Sequence, residues 1–192
     1  MTDLVPPFRR GGEADAPALA DLMNMAGHGL PLHIWSGQAD PGQDPWDVGR
    51  ARQAEKAQDG RVVVADHGSG VLAALTGYAI ADEAVAIEAD LPALFVPLVE
   101  LENEALNSWY INVLAVFPAH RNQGWGRRLL DLAETFARAA QLPCTTLIVA
   151  NDNTDGRRLY ERQGFIEQAS RPCQGDSWGA PTDRWILMRK DL

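Results

Sequence analysis

The chain has 192 residues, of which 46% are hydrophobic, and this composition suits one compact domain with its own core. Its formal net charge of −9 argues against nucleic acid as a partner, because phosphate-backbone binding needs clustered Lys and Arg, and it mildly favours a cationic substrate. No apolar run approaches the roughly 20 residues that cross a bilayer, and residues 1–12 lack the apolar stretch of a secretory signal. Two cysteines make neither a disulfide framework nor a metal site. We therefore expect a cytoplasmic protein that binds neither a membrane nor a metal ion.

The hydrophobic pattern of the first half predicts helices and strands in alternation. We predict a short strand over residues 4–10, a helix after the capping residue Asp15, and a loop or broken helix over 27–43. A second helix is predicted over 45–58, followed by two strands, 61–66 and 71–81, that are joined by a hairpin turn. Residues 82–107 show no clear pattern.

The second half is easier to interpret. We predict a strand over 109–118, a helix from 126 to about 140 with apolar residues at helical spacing, and a strand over 145–150. A further helix follows from about 153, then an extended segment over 165–170 and a last strand over 184–189. The pattern predicts a single α/β domain that spans residues 1–192, with a mixed sheet.

A glycine-containing loop, Arg121-Asn122-Gln123-Gly124-Trp125-Gly126, lies between the predicted strand 109–118 and the helix that follows it. A strand that turns through such a loop into a helix directs unpaired backbone N–H groups and the positive end of the helix dipole at one point, which favours phosphate. Gly124 and Gly126 have no side chain, so a bulky anion can approach the backbone. The loop is also locally basic because of three arginines: Arg121, Arg127 and Arg128. They suit an anionic ligand, and the alternative is that they form a solvated helix face.

This loop resembles motif A of the GNAT N-acetyltransferase superfamily, (Gln/Arg)-x-x-Gly-x-(Gly/Ala), and residues 109–118 resemble its fourth strand. Residues 153–165 resemble its motif B, commonly Asn-x-x-Ala-x-x-Leu-Tyr-x-x-x-Gly-Phe, with Gly156 in place of Ala, which should loosen the helix. The resemblance implies a mixed, mostly antiparallel central sheet flanked by helices, with the fourth and fifth strands splayed apart. It also implies an acetyl-CoA-dependent N-acetyltransferase that acts on a primary amine of a small molecule or protein. Homodimers are common in this superfamily.

The resemblance implies a two-part site for acetyl-CoA. The pyrophosphate is expected on the backbone of residues 122–127, and the pantetheine arm is expected to pair with the fourth strand as a further strand would. Asn153 is expected to cap the motif B helix, to bind the arm, or both. The expected cofactor-binding residues are Leu114, Ala115, Val116, Arg121, Asn122, Gln123, Gly124, Trp125, Gly126, Arg127 and Asn153.

Two residues are candidates for proton transfer. Tyr160 matches the motif B tyrosine, and the resemblance implies that its hydroxyl protonates the departing thiolate. The alternative is a tyrosine that packs in the core with its hydroxyl bonded to a carbonyl. The base that some members carry in the fourth strand falls near Tyr110, which is not a base at neutral pH. We therefore choose Glu102, the central residue of the acidic group that includes Glu100 and Glu104. An acidic surface, one of the four histidines or a chain of waters is the alternative.

The tryptophans are weaker indicators of a site. Trp109 and Trp185 fall in predicted strands, where core packing is the usual role. Trp125 is expected to lie over the loop near the cofactor. Trp35 and Trp46 lie in the region that usually forms the acceptor site in the superfamily, and they are candidates for substrate contact or plain packing.

Two other functions can be compared with acetyl transfer. A non-catalytic sensor of CoA or acetyl-CoA is the alternative on the same fold, because a fold alone does not assign a function and the fourth-strand Glu is missing. A dinucleotide-binding domain would need Gly-x-Gly-x-x-Gly after the first strand. The glycine loop here lies in the middle of the chain and lacks the third glycine, which excludes that interpretation.

Overall fold

The computed structural model describes residues 3–192, and within this range it contains seven strands and six helices. The strands are β1 (Phe8–Arg10), β2 (Val62–Asp66), β3 (Val71–Ile80), β4 (Ser108–Val116), β5 (Cys144–Ala150), β6 (Ile166–Pro172) and β7 (Arg184–Asp191). The helices are α1 (Ala16–Ala26), α2 (Leu30–Gln38), α3 (Pro45–Gln58), α4 (Val96–Asn103), α5 (Trp125–Ala139) and α6 (Thr154–Arg162). The strands form one sheet in the order β1-β2-β3-β4-β5-β7-β6. The predicted mixed α/β fold is thereby confirmed.

The sheet is mostly antiparallel, as expected. β1 pairs with β2, β2 with β3, and β7 with both β5 and β6 in antiparallel fashion, whereas β4 and β5 run parallel. The parallel ladder contains three residue pairs and ends at Ile111 and Leu147, although β4 continues to Val116 and β5 to Ala150. The ladder between β4 and β5 therefore covers only the first part of each strand, in agreement with the splayed fourth and fifth strands that were expected.

The differences from the predicted elements lie where local signals compete. Residues 27–43 contain the helix α2 as well as loops. Burial of Trp35 stabilises this helix, a tertiary contact that the local Gly- and Pro-rich sequence does not indicate. Residues 82–107, which show no clear pattern, contain α4. β1 begins only at Phe8, after the two prolines that cannot donate ladder bonds, and β4 ends at Val116 rather than at Pro118.

The chain divides into two compact units. The first contains residues up to Gly77 together with Val113–Leu129, and the second contains Tyr78–Asn112 together with Leu130–Leu192. Two strands and one helix, β3, β4 and α5, each run from one unit into the other. Among residues 3–192, no helix has the length and apolar character that crossing a membrane requires.

The core of the first unit lies between α1 and the strands. Leu19 and Leu22 of α1 pack with Val62 and Val64 of β2, and Val113 of β4 joins the same cluster. Arg9 of β1 connects the start of α1 and the end of β2, since its guanidinium donates to Asp15 at 2.7 Å and to Asp66 at 2.8 Å. The hydrogen bond from Arg9 lowers the pKa of Asp15, although burial of the carboxyl opposes this.

The second unit contains the β5-β7-β6 half of the sheet and α4, which packs against β6 and β7. Ser108 at the start of β4 shares a hydrogen bond of 2.7 Å with Thr146 of β5, both fully buried. This bond satisfies two polar groups within the core and fixes β4 against β5 at the start of their parallel ladder.

Candidate functional site

The loop between β4 and α5 turns through two residues in the left-handed backbone region, Asn122 with φ of 60° and Gly124 with φ of 82°. Among the backbone hydrogen bonds of residues 3–192, the first donor after Arg121 in this loop is Arg128, whose N–H reaches the Gly124 carbonyl at 3.1 Å. The intervening N–H groups of residues 122–126 make no such bond. A Cβ on Gly124 would meet no atom of the rest of the protein within 4 Å. Free donors beside open space at a helix start fit a pyrophosphate.

Two side chains of this loop donate hydrogen bonds to the chain just before it, one to the end of β4 and one to the turn that follows β4. The Arg121 Nε donates to the Val116 carbonyl at 3.2 Å, and the Gln123 side-chain amide donates to the Ala119 carbonyl at 3.2 Å. Both side chains are exposed. The bonds hold the loop in the conformation that leaves its backbone donors free.

Trp125 is the first residue of α5, and its side chain is buried at 6% exposure. Its ring contacts those of Phe8 and His67, with centroids 6.3 and 5.2 Å away, and the Arg128 guanidinium lies 4.3 Å above it. The Trp125 side chain thus has an aromatic packing site supplied by β1 and the β2–β3 turn, and its place over the loop near the cofactor stays a prediction. Its backbone N–H remains part of the predicted cradle.

The β4 segment next to this loop alternates as a half-buried strand does. Val113 and Ala115 point into the core of the first unit, whereas Leu114 and Val116 are only partly buried. The pairing of Leu114, Ala115 and Val116 with the pantetheine arm stays a prediction, which the extended backbone of this segment supports.

Asn153 caps α6, since its side-chain oxygen accepts the Gly156 N–H at 3.0 Å. The glycine has a local reason: a Cβ at position 156 would lie 2.8 Å from the capping amide atoms. Gly156 thus makes room for the cap, which compensates for its poor helix propensity. A further contact of Asn153 with the cofactor stays a prediction.

Tyr160 lies on α6 and is buried at 8% exposure, with its ring 6.0 Å from that of Phe165. Burial raises the pKa of Tyr160 to about 12, and no hydrogen bond to its hydroxyl contributes. The alternative of a packed tyrosine bonded to a carbonyl therefore lacks its hydrogen bond within the described residues 3–192. The phenol stays protonated at every physiological pH.

The three glutamates of α4 and its C-terminal end have different surroundings. Glu100 accepts from the Arg171 Nε at 2.8 Å, and Glu104 accepts from another nitrogen of the same guanidinium. Glu102 lies two residues from each, about 200° around the helix, and its carboxylate is hydrogen-bonded to Tyr110 instead. Burial raises the pKa of Glu102, and the bond from Tyr110 only partly opposes the rise. A raised pKa of this kind is typical of a functional acid.

Tyr110, which sequence reasoning set aside, brings the position of the expected fourth-strand base into contact with Glu102. Its side chain is buried at 4% exposure, and its ring lies 5.5 Å from that of Tyr78. Burial raises the pKa of Tyr110 well above its usual value, so its hydroxyl is a donor, and it is also hydrogen-bonded to Asn112. The sequence showed that the expected acid is missing at position 110 of the fourth strand. The structure shows that the acid in contact with this position is Glu102 of α4.

Among residues 3–192, no group of three or more His, Cys, Asp or Glu side chains is placed to hold a metal ion. The cradle lies in the first compact unit, whereas Tyr160, Glu102 and Tyr110 lie in the second. The second unit also contains a cavity of about 420 Å³ between α4 and the β6–β7 connection.

Comparisons with known proteins agree with these features. The sequence model of the Acetyltransferase (GNAT) family matches residues 32–165. N-alpha-acetyltransferase 40 of Saccharomyces cerevisiae is 33% identical over 137 residues, which make up 67% of this chain and 44% of that protein. The chain thus spans less than half the length of this curated relative.

Solved structures show the same fold. A mosquito arylalkylamine N-acetyltransferase like 5b has a TM-score of 0.66 at 13% identity, over 96% of this chain and 99% of that one. The ribosomal-protein-alanine N-acetyltransferase of Brucella melitensis has a TM-score of 0.61 at 21% identity, over 98% and 100%. Since the family match covers more than half of the residues and includes both motifs, the chain belongs to the acetyltransferase (GNAT) family.

Proposed function

We propose that this chain is an acetyl-CoA-dependent N-acetyltransferase that moves an acetyl group to a primary amine of a small molecule or protein. The observation that carries the proposal is the loop between β4 and α5, where the N–H groups of residues 122–126 are free of backbone partners beside the open space at Gly124. Family membership supports acetyl-CoA as the anionic ligand of this loop.

The residues present fit the acyl donor. The backbone of residues 122–127 would hold the pyrophosphate, with the exposed Arg121 near it, and the extended backbone of Leu114, Ala115 and Val116 would hold the pantetheine amides. When bound, acetyl-CoA supplies the acetyl group as a thioester. Binding it in this way aligns the donor with the acceptor amine and so removes part of the entropic barrier.

Glu102 is proposed as the base. The acceptor arrives mainly as an ammonium ion at neutral pH, and it must lose a proton before its nitrogen can bond to the acetyl carbon. Burial raises the pKa of Glu102, which brings its proton affinity closer to that of the amine. The Tyr110 hydroxyl donates to the same carboxylate and holds it in place. The carboxylate can accept the proton directly or through one water.

Tyr160 is proposed as the acid that gives the departing sulfur its proton. With a pKa of about 12 against the usual 8.5 or so of a thiol, the transfer is uphill by about 3.5 pKa units, or about 5 kcal/mol. The difference shrinks if the same apolar surroundings raise the proton affinity of the sulfur. Since the hydroxyl makes no hydrogen bond among residues 3–192, it is available to donate without breaking another bond.

The wider setting of the protein follows from the sequence and stays a prediction. We infer that residues 1–192 act as one catalytic domain, because the family match crosses the boundaries of both compact units. A cytoplasmic location, the absence of nucleic-acid and membrane partners, and the homodimer common in the superfamily are proposed with it. The name of the yeast relative supports an α-amino group as one form of acceptor.

Release of the CoA thiol tests the proposal. The purified chain is incubated with acetyl-CoA and a panel of primary amines and N-terminal peptides, and the thiol and the acetylated product are both measured. Amine-dependent thiol release with a matching product supports the enzyme. Tight binding of acetyl-CoA without turnover on any amine supports the alternative of a non-catalytic sensor, and absence of binding contradicts both.

A further inference from the structure

Three side chains of the second unit form a chain of hydrogen bonds that ends at Glu102. The Tyr110 hydroxyl on β4 is hydrogen-bonded both to Glu102 on α4 and to the side chain of Asn112. Tyr110 and Asn112 lie two residues apart on β4, so their side chains project from the same face of the strand. Tyr110 is buried and Asn112 is half-buried. Glu102, Tyr110 and Asn112 all belong to the same compact unit.

The hydrogen bonds of this chain run in one direction. An ionised carboxylate only accepts hydrogen bonds and a phenol has one proton, so the Tyr110 hydroxyl donates its proton to Glu102. Asn112 then supplies the other donor, and its side-chain N–H donates to the Tyr110 oxygen. A hydroxyl that accepts a hydrogen bond becomes a stronger donor, because the bonds of a chain polarise one another. Asn112 thus strengthens the bond from Tyr110 to Glu102.

The Tyr110 ring is held in place, so only its hydroxyl proton can change direction. The ring is buried at 4% exposure, and the Tyr78 ring packs edge-on against it, with centroids 5.5 Å apart and planes at 62°. Burial raises the pKa of Tyr110 well above its usual value, so the proton stays on the phenol. The direction of this proton is therefore set by the two side-chain partners of the hydroxyl, Asn112 and Glu102.

The other charged groups near Glu102 have partners of their own. Glu100 and Glu104 on the same side of the sheet form ion pairs with Arg171 of β6, and none of these three contributes to the shift in the pKa of Glu102. Among the described residues 3–192, Tyr110 is the titratable group that does contribute. A change in the direction of the Tyr110 proton should therefore act directly on Glu102.

We propose that Asn112 is a positioning residue for the base: it fixes the Tyr110 hydroxyl as a donor to one oxygen of Glu102, which leaves the other oxygen for the acceptor amine. In the transfer, an N–H bond of the ammonium ion breaks and an O–H bond forms at that second oxygen. The electron pair left on nitrogen then bonds to the acetyl carbon, and Tyr110 keeps its own proton. The role of Glu102 as base rests on the proposed function, whereas the direction of the hydrogen bonds rests on the three side chains.

Carboxyl carbon-13 NMR measures the pKa of Glu102 without acetyl-CoA or turnover, and the signal is assigned by its absence in Glu102→Gln. Asn112→Leu keeps the shape of the side chain and removes its donor. We expect the pKa of Glu102 to rise by about 0.2–0.6 units, which corresponds to the loss of about 10–30% of one charge-assisted bond. Asn112→Asp makes two acceptors compete for one proton and adds a like charge, so the pKa should rise by about one unit or more.

Two controls separate this effect from general ones. Gln58→Glu adds the same negative charge at the exposed end of α3 and should move the pKa of Glu102 by less than about 0.2 units, because exposed charges are screened by salt. In a Tyr110→Phe background, Asn112→Leu should cause no further shift, because Asn112 acts through the hydroxyl that this background lacks.

Turnover then tests the consequence for the reaction. The acidic limb of kcat/KM should move to higher pH by the same amount as the pKa of Glu102 in each Asn112 variant. An unchanged pKa in both variants, or a full shift by Asn112→Leu in the Tyr110→Phe background, would overturn the positioning role. A shifted pKa with an unmoved limb would overturn its link to the base. A shifted pKa with no turnover on any amine would contradict the proposed function and still support the direction of the hydrogen bonds.

Discussion

Replacement of Gly124 by valine is the sharpest test of the cofactor cradle. The residue has a φ of 82° and open space where a side chain would project. The N–H groups of the surrounding residues 122–126 make no backbone hydrogen bond, and we expect a branched side chain in the middle of this loop to keep a phosphate away from them. We expect weaker CoA binding with an intact fold.

The magnitude follows from the bonds that would be lost. If the valine displaces the pyrophosphate from two backbone donors, each charge-assisted bond accounts for about 1.5–3 kcal/mol, a total of about 3–6 kcal/mol. At 1.4 kcal/mol for each factor of ten, the Kd for CoA should rise about 10²- to 10⁴-fold. A non-glycine residue in this backbone region also destabilises the fold by roughly 1–2 kcal/mol.

Gly42 provides a matched control, because it has a φ of 87° and a Cβ there would also meet no atom within 4 Å. Gly42→Val introduces the same backbone strain away from the loop. Titration calorimetry with CoA should give a wild-type Kd for Gly42→Val and a raised Kd for Gly124→Val, with similar unfolding temperatures. A wild-type Kd for a folded Gly124→Val protein would refute the cradle, and equal losses in both variants would assign the effect to strain.

Four further variants test the proton-transfer groups and the fold. Tyr160→Phe should lower kcat about 10- to 1,000-fold with little change in KM for acetyl-CoA, and wild-type turnover would leave Tyr160 as a packing residue. Glu102→Gln should lower kcat/KM about 100-fold at neutral pH. It should also remove the fall in rate that the wild type shows as pH drops through the raised pKa of Glu102. A pH–rate profile like that of the wild type would make Glu102 an ordinary surface acid. Tyr110→Phe removes a bond that lowers the pKa of Glu102, so this acidic limb should move to higher pH, and an unmoved limb would separate the two residues. Asp15→Asn should reduce the free energy of unfolding by about 1–3 kcal/mol at pH 7. Because Arg9 lowers the pKa of Asp15, this contribution to stability is present above the unfolded pKa of about 3.9 and is lost as pH falls through the folded value. The unfolding free energies of the wild type and Asp15→Asn, measured by urea titration, should therefore differ less at pH 3 than at pH 7. A difference that is the same at both pH values would contradict the ion pair.

The features that sequence reasoning predicted are those whose determinants are local. The bounds of α3 are as predicted, because Asp44 caps it by accepting the Trp46 N–H at 3.0 Å and a proline follows in the first turn. The glycine loop and the motif B helix are likewise contiguous in sequence. Their glycines and caps act over four or five residues, so the pattern contains the physical cause.

The features that sequence reasoning missed depend on contacts between distant residues. Trp125 is buried because Phe8 and His67 pack against it, and neither is near it in the chain. The bond between Glu102 and Tyr110 requires α4, for which residues 82–107 gave no clear signal. Glu102 was chosen for its central place in an acidic run, whereas its distinct environment results from the direction in which the helix turns it.

The phase of α4 has a consequence for comparing this chain with its relatives. Each residue added to a helix rotates the following side chains by about 100°, so an insertion of two residues before Glu100 would turn Glu100 through about 200° and place it where Glu102 now faces. Glu102 would then face the direction of Arg171. Two relatives could therefore keep a carboxylate at the same point in space while carrying it in different columns of an alignment. Column-by-column comparison would report the acid as lost in one of them, although the chemistry at Tyr110 had not changed.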